Sequence, residues 1–595
     1  MFERKVWKVL ATMAVLALIA VACGSSTNVN GKPVKPDVSG KIFGGAATRG
    51  GVMKMDSIGD VDYMDPAQAY SVQYFDTVGR GTIRSLTNYP DTPNLNDQVK
   101  VVPDLATALG EHNANNTVWT YHLKPGLKYG PALGGKNIPG VTGKPITSAD
   151  LKYGIERMFN PSVGAGYAFY YDNIKGASAC KSYGCDMSGI QTPDDRTIVF
   201  HLTKPTGDWD LRVSMPGASP VPQRYAKTWD QTKDSDYDSH VLAEGPYYVA
   251  TYTPGEQIIL KRNPFWSAST DNIRKAYVDE LDWKQGFDNS VCIAKVMSGD
   301  YDFPAIDCLP TGPQLQKITS DSSLNQRFFN GPQPCTSYLF MNTRIKPFNN
   351  LKVRQAVNYV IDKSNMQRVS GGPLVGHIAT SILPPGMMGY LPSSQYDPFH
   401  SANFSGDVAK AKQLMKEAGY PHGYGKGDGP PLLFIGASSD PGPKLVESAK
   451  QDLAKIGITN FQVKELQYPD YFTQYYAEPS SNTAIGFAAW CEDFPSPDTF
   501  LTPLLYGPNI LPHANSNYSE TNDPNLNHLI VKAEKAPLSD APSAWAAANK
   551  AATQGASWVP YRWSFGRIIV GQNLTNAFYN QYYELIDWVN AGVKH

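Results

Sequence analysis

AAWCEDFPSPDTFL, residues 488–501, ends an apolar run and begins a turn. The run is Ala484-Ile485-Gly486-Phe487-Ala488-Ala489-Trp490; then come Cys491, the acids Glu492 and Asp493, and two prolines, Pro495 and Pro497, that interrupt regular structure. An apolar strand that closes on an aromatic ring, a thiol and a carboxylate delivers those groups to a strand end. In open α/β sheets ligands sit at strand ends. Taken alone the stretch also fits an acidic surface turn, so its context decides.

Upstream, Leu432 to Ala437 reads as a strand, Lys444 to Ile456 as a helix and Ile458 to Leu466 as a strand, a unit that implies a parallel α/β sheet. Asp407 to Ala418 reads as a helix closed by Gly419. In PFNNLKVRQAVNYVIDK, residues Val353, Ala356, Val357, Val360 and Ile361 share one helical face. Tyr338 to Asn342 is a strand. YYVATY, a TPGE turn and QIILKR make a hairpin after Gly245-Pro246, and Val278 to Trp283 is a strand. Nearer the start, residues 51–58 can begin a sheet, Asp65-Pro66 marks a helix start, and Val118 to Leu123 and Thr197 to Leu202 are strands. Between the last two, Thr147 or Ser148 can cap a helix with apolar face Leu151, Ile155, Met158 and Phe159.

At 595 residues the chain needs two or three domains. Its 53 Lys+Arg balance 54 Asp+Glu, which argues against a nucleic-acid partner. The 34 Tyr and 11 Trp suit a binding cleft as well as a core. Arg4, Lys5 and Lys8 precede an apolar run, Val9 to Ala22, too short to cross a bilayer. A basic start, short apolar middle and small residues describe an export signal over 1–22. Cys23 follows the cut, as in the bacterial lipobox, although Ala20 stands where Leu is usual. Residues 23–45 then read as a lipid anchor and flexible tether. The expected location is the outer face of the bacterial cytoplasmic membrane. Six further cysteines, Cys180, Cys185, Cys292, Cys308, Cys335 and Cys491, favour three disulfides. Cys180 and Cys185 form a natural local pair; spacing leaves the other four open.

A secreted hydrolase is the rival from another class, but neither G-x-S-x-G nor H-E-x-x-H occurs. Gly130 to Lys136 imitates a phosphate loop, with Asn137 where Ser or Thr is needed. The ten histidines show no i, i+4 pair, so neither a metal nor a cofactor is expected, nor an enzyme.

The ordered pieces PDLATAL (103–109), WTYHLKPGLKY with GKPITSADLKYGIER, FHLTKP, EGPYYVATYTPGEQIILKRNPFW, KVMSGDYDF, FMNTRIKPFNNLKVRQAVNYVIDK and AWCEDFPSPDTFL resemble the extracellular solute-binding proteins of family 5, the peptide- and nickel-type receptors of ABC importers. The resemblance runs from about residue 50 to the C-terminus. It implies an α/β fold of the type 2 periplasmic-binding-protein kind with an extra inserted lobe, two lobes closing on a hinge. Carried onto this chain, lobe I is 46–99, 216–333 and 558–595, lobe II (the insertion) is 100–215 and lobe III is 334–557, with crossings near 334 and 558. The implied partners are a peptide ligand and membrane permease subunits, and the implied state is a monomer.

The resemblance also assigns residues. In oligopeptide-binding members a cysteine of a C-T-Y-Y-type strand bonds the cysteine of W-C-x-D; here these are Cys335 and Cys491, which leaves Cys292 to pair with Cys308. The acid two places after that cysteine, here Asp493, holds the ligand's α-ammonium, a charge-assisted bond. The strand Ala488-Ala489-Trp490 can pair with an extended peptide backbone, its two alanines leaving room for ligand side chains. Asp60 falls where members place another acidic cleft residue, and equally reads as a helix-start acid. Some peptide-binding members carry Arg four places before the motif cysteine; here it is Phe487, so recognition of a ligand's carboxyl end at that point is not implied. Nickel-chelate, oligosaccharide and opine binders share the fold; Asp493 favours peptides.

Overall fold

The computed structural model describes residues 26–27, 33–34, 40–536 and 540–595. The expected export signal and Cys23 lie outside them. Among the described residues no helix is long and apolar enough to cross a membrane. Ile42–Phe43 pairs with Ala577–Phe578, and Phe43 is buried, so the expected tether ends a few residues before 45.

Three sheets carry the structure. The first has five strands in the order Tyr247–Thr253, Gln257–Arg262, Glu280–Lys284, Val52–Asp56, Phe303–Pro304. Its first two strands are the expected hairpin, and Val52–Asp56 runs parallel to both its neighbours. An antiparallel sheet of four strands joins Val118–His122 and Thr197–His201 to shorter flanking strands. The helix Ser148–Arg157 packs here, started by a reciprocal cap between Thr147 and Asp150. Leu151, Ile155 and Met158 are buried and Phe159 partly so.

The third sheet has six strands: Gly376–His377, Trp558–Ile569, Phe328–Met341, Ile485–Cys491, Leu432–Ala437 and Phe461–Leu466. The last three are parallel to one another, as the strand–helix–strand reading expects. Helices Gly442–Ala454 and Leu351–Val360 cover one face; the five apolar residues expected on one side of the latter are all buried. Phe328–Met341 is antiparallel to both neighbours and buried on both faces. Leu339 and Met341 join one core and Tyr338 and Phe340 another, which is the two-residue period of a fully buried strand.

That strand is far longer than the expected Tyr338 to Asn342. Gly331, Pro332 and Pro334 disguise it. They are tolerated because the ladder to Trp558–Ile569 changes register between Pro332 and Thr336, where no regular bonds are required. The pair of long strands spans two cores. Phe329 and Ile568 belong to the core of the five-stranded sheet, while Leu339 and Val559 belong to that of the large sheet.

One start signal misled. Asp65-Pro66 opens no helix; the chain turns until Tyr74–Gly79, a widened helical turn that runs into Arg80–Thr82. The Asp65 carboxylate accepts from the Ala67 amide at 3.0 Å, but the turn started there goes no further, and the same carboxylate accepts two bonds of 2.7 Å from the buried Arg157, which also holds Asp230.

Disulfides join Cys180–Cys185, Cys292–Cys308 and Cys335–Cys491. Cys335 and Cys491 are cross-strand partners with Cα atoms 4.0 Å apart. Non-reducing peptide mapping should recover all three pairs. A Cys335→Ser, Cys491→Ser double variant should lose about 2–5 kcal/mol of unfolding free energy in denaturant titration.

Candidate functional site

The strand Ile485–Cys491 is paired on one side over its whole length, from Met341↔Ile485 to Cys335↔Cys491. On its other side only Ile485 and Gly486 meet a strand, Phe434–Ile435. Among the described residues, Ala488 to Cys491 thus present a backbone edge with no strand partner. This edge borders a cavity of about 400 Å³, within the roughly 300–1,000 Å³ usual for ligand pockets.

The cavity lies between the five-stranded and six-stranded sheets, where the two long strands change register. It is lined by Ala488 through Asp493, by Tyr70 to Gln73, Asp307, Tyr468 and Tyr471, and by Gln333, Ser337, Arg562, Ser564, Arg567 and Glu584. Ala489 is exposed to the space and Trp490 is buried, its indole donating to the Thr499 carbonyl at 3.0 Å and meeting Tyr70 edge-on at 5.6 Å. Cross-strand pairing sets Arg562, Ser337 and Ala489 in one row. The row spans two strand spacings, about 10 Å.

Asp493 sits at the strand's end because Phe494 and the prolines turn the chain there. Its carboxylate accepts from Tyr70 Oη at 2.9 Å and Tyr170 Oη at 2.6 Å, and its carbonyl accepts from Tyr582 Oη at 2.8 Å. Burial pushes its carboxyl up to about 7, the tyrosine bonds only partly countering this. Glu492, less buried, is pushed up to about 8 by desolvation and by Asp493 beside it. Burial also lifts Glu584 well above the usual range, although Gln333 donates to it, and brings Asp307 to about 6.

The expected residues do not all converge. Ala488, Ala489, Trp490 and Asp493 line the cavity; Phe487 and Asp60 do not. Phe487, two positions before Ala489, is instead covered by the Phe434 and Tyr561 rings. Asp60 accepts from Tyr252 Oη, the Gly255 amide and Gln285 Nε2 at 2.7–3.0 Å, pinning the tip of the hairpin. Its neighbour Asp62 instead shapes the site, taking the Tyr70 amide and Ser71 hydroxyl at 2.6 Å each and so presenting Tyr70. Tyr70, Tyr170, Tyr582, Arg562, Arg567 and Glu584 have no sequence signal beyond the general abundance of tyrosine. They reach the site from segments up to 423 positions away from Asp493.

With this geometry, likeness to known proteins becomes informative. Residues 100–511, more than half of the chain, match the family model of the bacterial extracellular solute-binding proteins, family 5, middle region. The chain belongs to this family. It is 28% identical to heme-binding protein A of Haemophilus influenzae over 445 residues, 72% of this chain and 73% of that one. It is 22% identical to the oligopeptide-binding protein OppA of Bacillus subtilis over 509 residues, 84% of each. Among solved structures, clavulanic acid biosynthesis oligopeptide binding protein 2 superposes with a TM-score of 0.79 at 28% identity, covering 94% of this chain and 98% of that one. The fold is therefore the type 2 binding-protein fold, and the family binds solutes for transport rather than transforming them.

The raised Asp493 carboxyl sets a pH dependence for this family-5 protein. A cationic ligand group at Asp493 requires the carboxylate, so binding must expel its proton when the pH is below about 7. Affinity for such a ligand should fall as pH drops through that value, by up to about tenfold per pH unit. Calorimetry in buffers of different ionisation enthalpy should detect the released proton near neutral pH, and Asp493→Asn should abolish both effects.

Proposed function

We propose that this protein is the substrate-binding lipoprotein of an ABC importer, that it captures extracellular peptides, and that it delivers them to a membrane permease. The observation that carries the reading is the unpaired edge Ala488 to Cys491 running directly into Asp493. An extended peptide can add to such an edge through its backbone, and a carboxylate at the edge's end suits its terminal ammonium. Relatives whose names record oligopeptide binding support the choice. Heme-binding protein A is 28% identical against 22% for OppA of Bacillus subtilis, and the cavity is rich in aromatic rings; the strand edge ending in Asp493, with Arg562 and Arg567 in the lining, is what favours a peptide's backbone and charged ends.

In this reading Cys23 carries the lipid, and the protein works as a monomer on the outer face of the cytoplasmic membrane. Lobes I and III close over the peptide, and lobe II is the insertion. Because residues 558–561 pack with the large sheet, we set the crossings at Pro332–Thr336 and Trp563–Phe565, where the ladder is irregular. Such crossings are the natural place for a hinge.

Asp493→Ala leaves a buried ammonium unpaired, at a cost of roughly 3–5 kcal/mol, so peptide affinity should fall by about two to three orders of magnitude. Acetylating the peptide's amino end should cost a similar amount. The two losses should not add, because they remove one contact. Fully additive losses in a calorimetric cycle would refute the pairing. For the anchor, Cys23→Ala should release the protein from the membrane fraction; unchanged retention would show that the N-terminus is held another way.

A further inference from the structure

Five residues apart, Arg562 and Arg567 would face opposite sides of a regular strand. At the irregular register both line the cavity instead. Arg567 is 5% exposed and forms neither an ion pair nor a hydrogen bond among the described residues, its Nε buried without a partner. Arg562 donates to Ser337 Oγ at 3.0 Å and lies over the Tyr561 ring, and its Nε is likewise unpartnered. Among the described residues no acid forms an ion pair with either guanidinium, although Glu492, Asp493 and Glu584 line the same cavity. Elsewhere the chain pairs its buried arginines: Arg80 with Asp587, Arg84 with Asp104, Arg157 with Asp65 and Asp230, Arg212 with Asp498. A buried cation without an anion is costly, and folds remove such groups unless something completes them.

We infer that Arg567, with Arg562 beside it, is a subsite for an anionic group of the ligand, which for a peptide is its carboxyl end or an acidic side chain. The assignment of that anion to a peptide rests on the reading above; the subsite itself rests on the two guanidiniums. Burial and Arg562 lower the Arg567 pKa to about 9, which leaves it charged at neutral pH. Burial shifts Glu492 and Glu584, which line the same cavity, towards their neutral forms, and neither pairs with Arg567 among the described residues. Asp493 lines the same cavity, so a ligand that engages both groups carries both charges. The row from Ala489 to Arg562, about 10 Å, matches roughly three extended residues.

The test uses the mature protein freed of co-purified ligand, an equimolar tripeptide mixture, the same mixture with amidated carboxyl ends, and sodium acetate. Wild type should retain the free acids about 30-fold or more tightly than the amides, and Arg567→Gln should erase that preference. Arg562→Gln should weaken it. Thermal denaturation supplies a readout that a structural arginine would not give. Arg567→Gln should raise the Tm of the ligand-free protein, because it deletes an unpaired buried charge, and acetate should raise the Tm of wild type but not of the variant. Tripeptides that bind through their amino ends with no preference between acid and amide would overturn the subsite and leave the peptide reading intact. Acetate stabilisation lost in Arg567→Gln, with no tripeptide bound, would keep the subsite and overturn the peptide reading. A lowered Tm or a failure to fold in Arg567→Gln would make the arginine structural and end the proposal.

Discussion

The ladder between Thr336–Met341 and Ile485–Trp490, closed by Cys335–Cys491, is the constraint on which this structure depends. It joins strands 156 positions apart at their cysteines, which fixes the register, and a slip of one residue would turn every side chain to the wrong face. With the register fixed, Trp490 packs beneath the site and Ala489 opens onto it. The following turn can put Asp493 in only one place. On its other edge the same central strand carries Trp558–Ile569, so both walls of the cavity are aligned by a single strand.

That strand is sound at each end and interrupted in the middle. Pairing resumes on either side of Pro332 to Thr336, and each stretch is buried in a different core. Where backbone pairing lapses, side chains from three directions meet, and the cavity forms there rather than on either sheet's face. The groups lining it are poorly satisfied for a protein interior. Carboxyls are pushed towards their neutral forms while guanidiniums stay charged and unpaired. Such an arrangement costs stability, which a bound solute supplying the missing partners would offset.

What the sequence reveals follows from how local the cause is. The helix Leu351–Val360 and the strand Leu432–Ala437 are written in the spacing of their own apolar residues, and both were legible. Asp493 was legible because a strand, a cysteine and two prolines in succession specify a strand end, and because the neighbouring residues resemble those of family 5. Asp60 illustrates the opposite. The sequence shows an acid before a turn, and only the folded hairpin shows that Tyr252 and Gln285 use up its oxygens. Arg562 and Arg567 were invisible for another reason. On strand periodicity they diverge, and it takes a register shift created by a different strand to bring them together. Likewise Asp65 reads as a helix start, and only the fold shows that its turn stops short and that Arg157, 92 positions on, shares its carboxylate.

The turn after Cys491 also ties the large sheet to the four-stranded unit. Within six residues Asp493 meets Tyr170, Phe494 packs edge-on against the same ring, and Asp498 takes Arg212, itself held by Asp208. Lys204 reaches Glu534 nearby. Any movement that parts these units must break the Asp493 and Asp498 contacts together. The Asp493 contact involves the carboxylate that a cationic ligand would use. A ligand there would compete with, or add to, the tyrosine bonds that hold the units together, so occupancy of the cavity and the approach of the two units cannot be independent. In the proposed reading, the residues 488–501 that offer a binding edge are therefore also the mechanical contact through which binding would be felt.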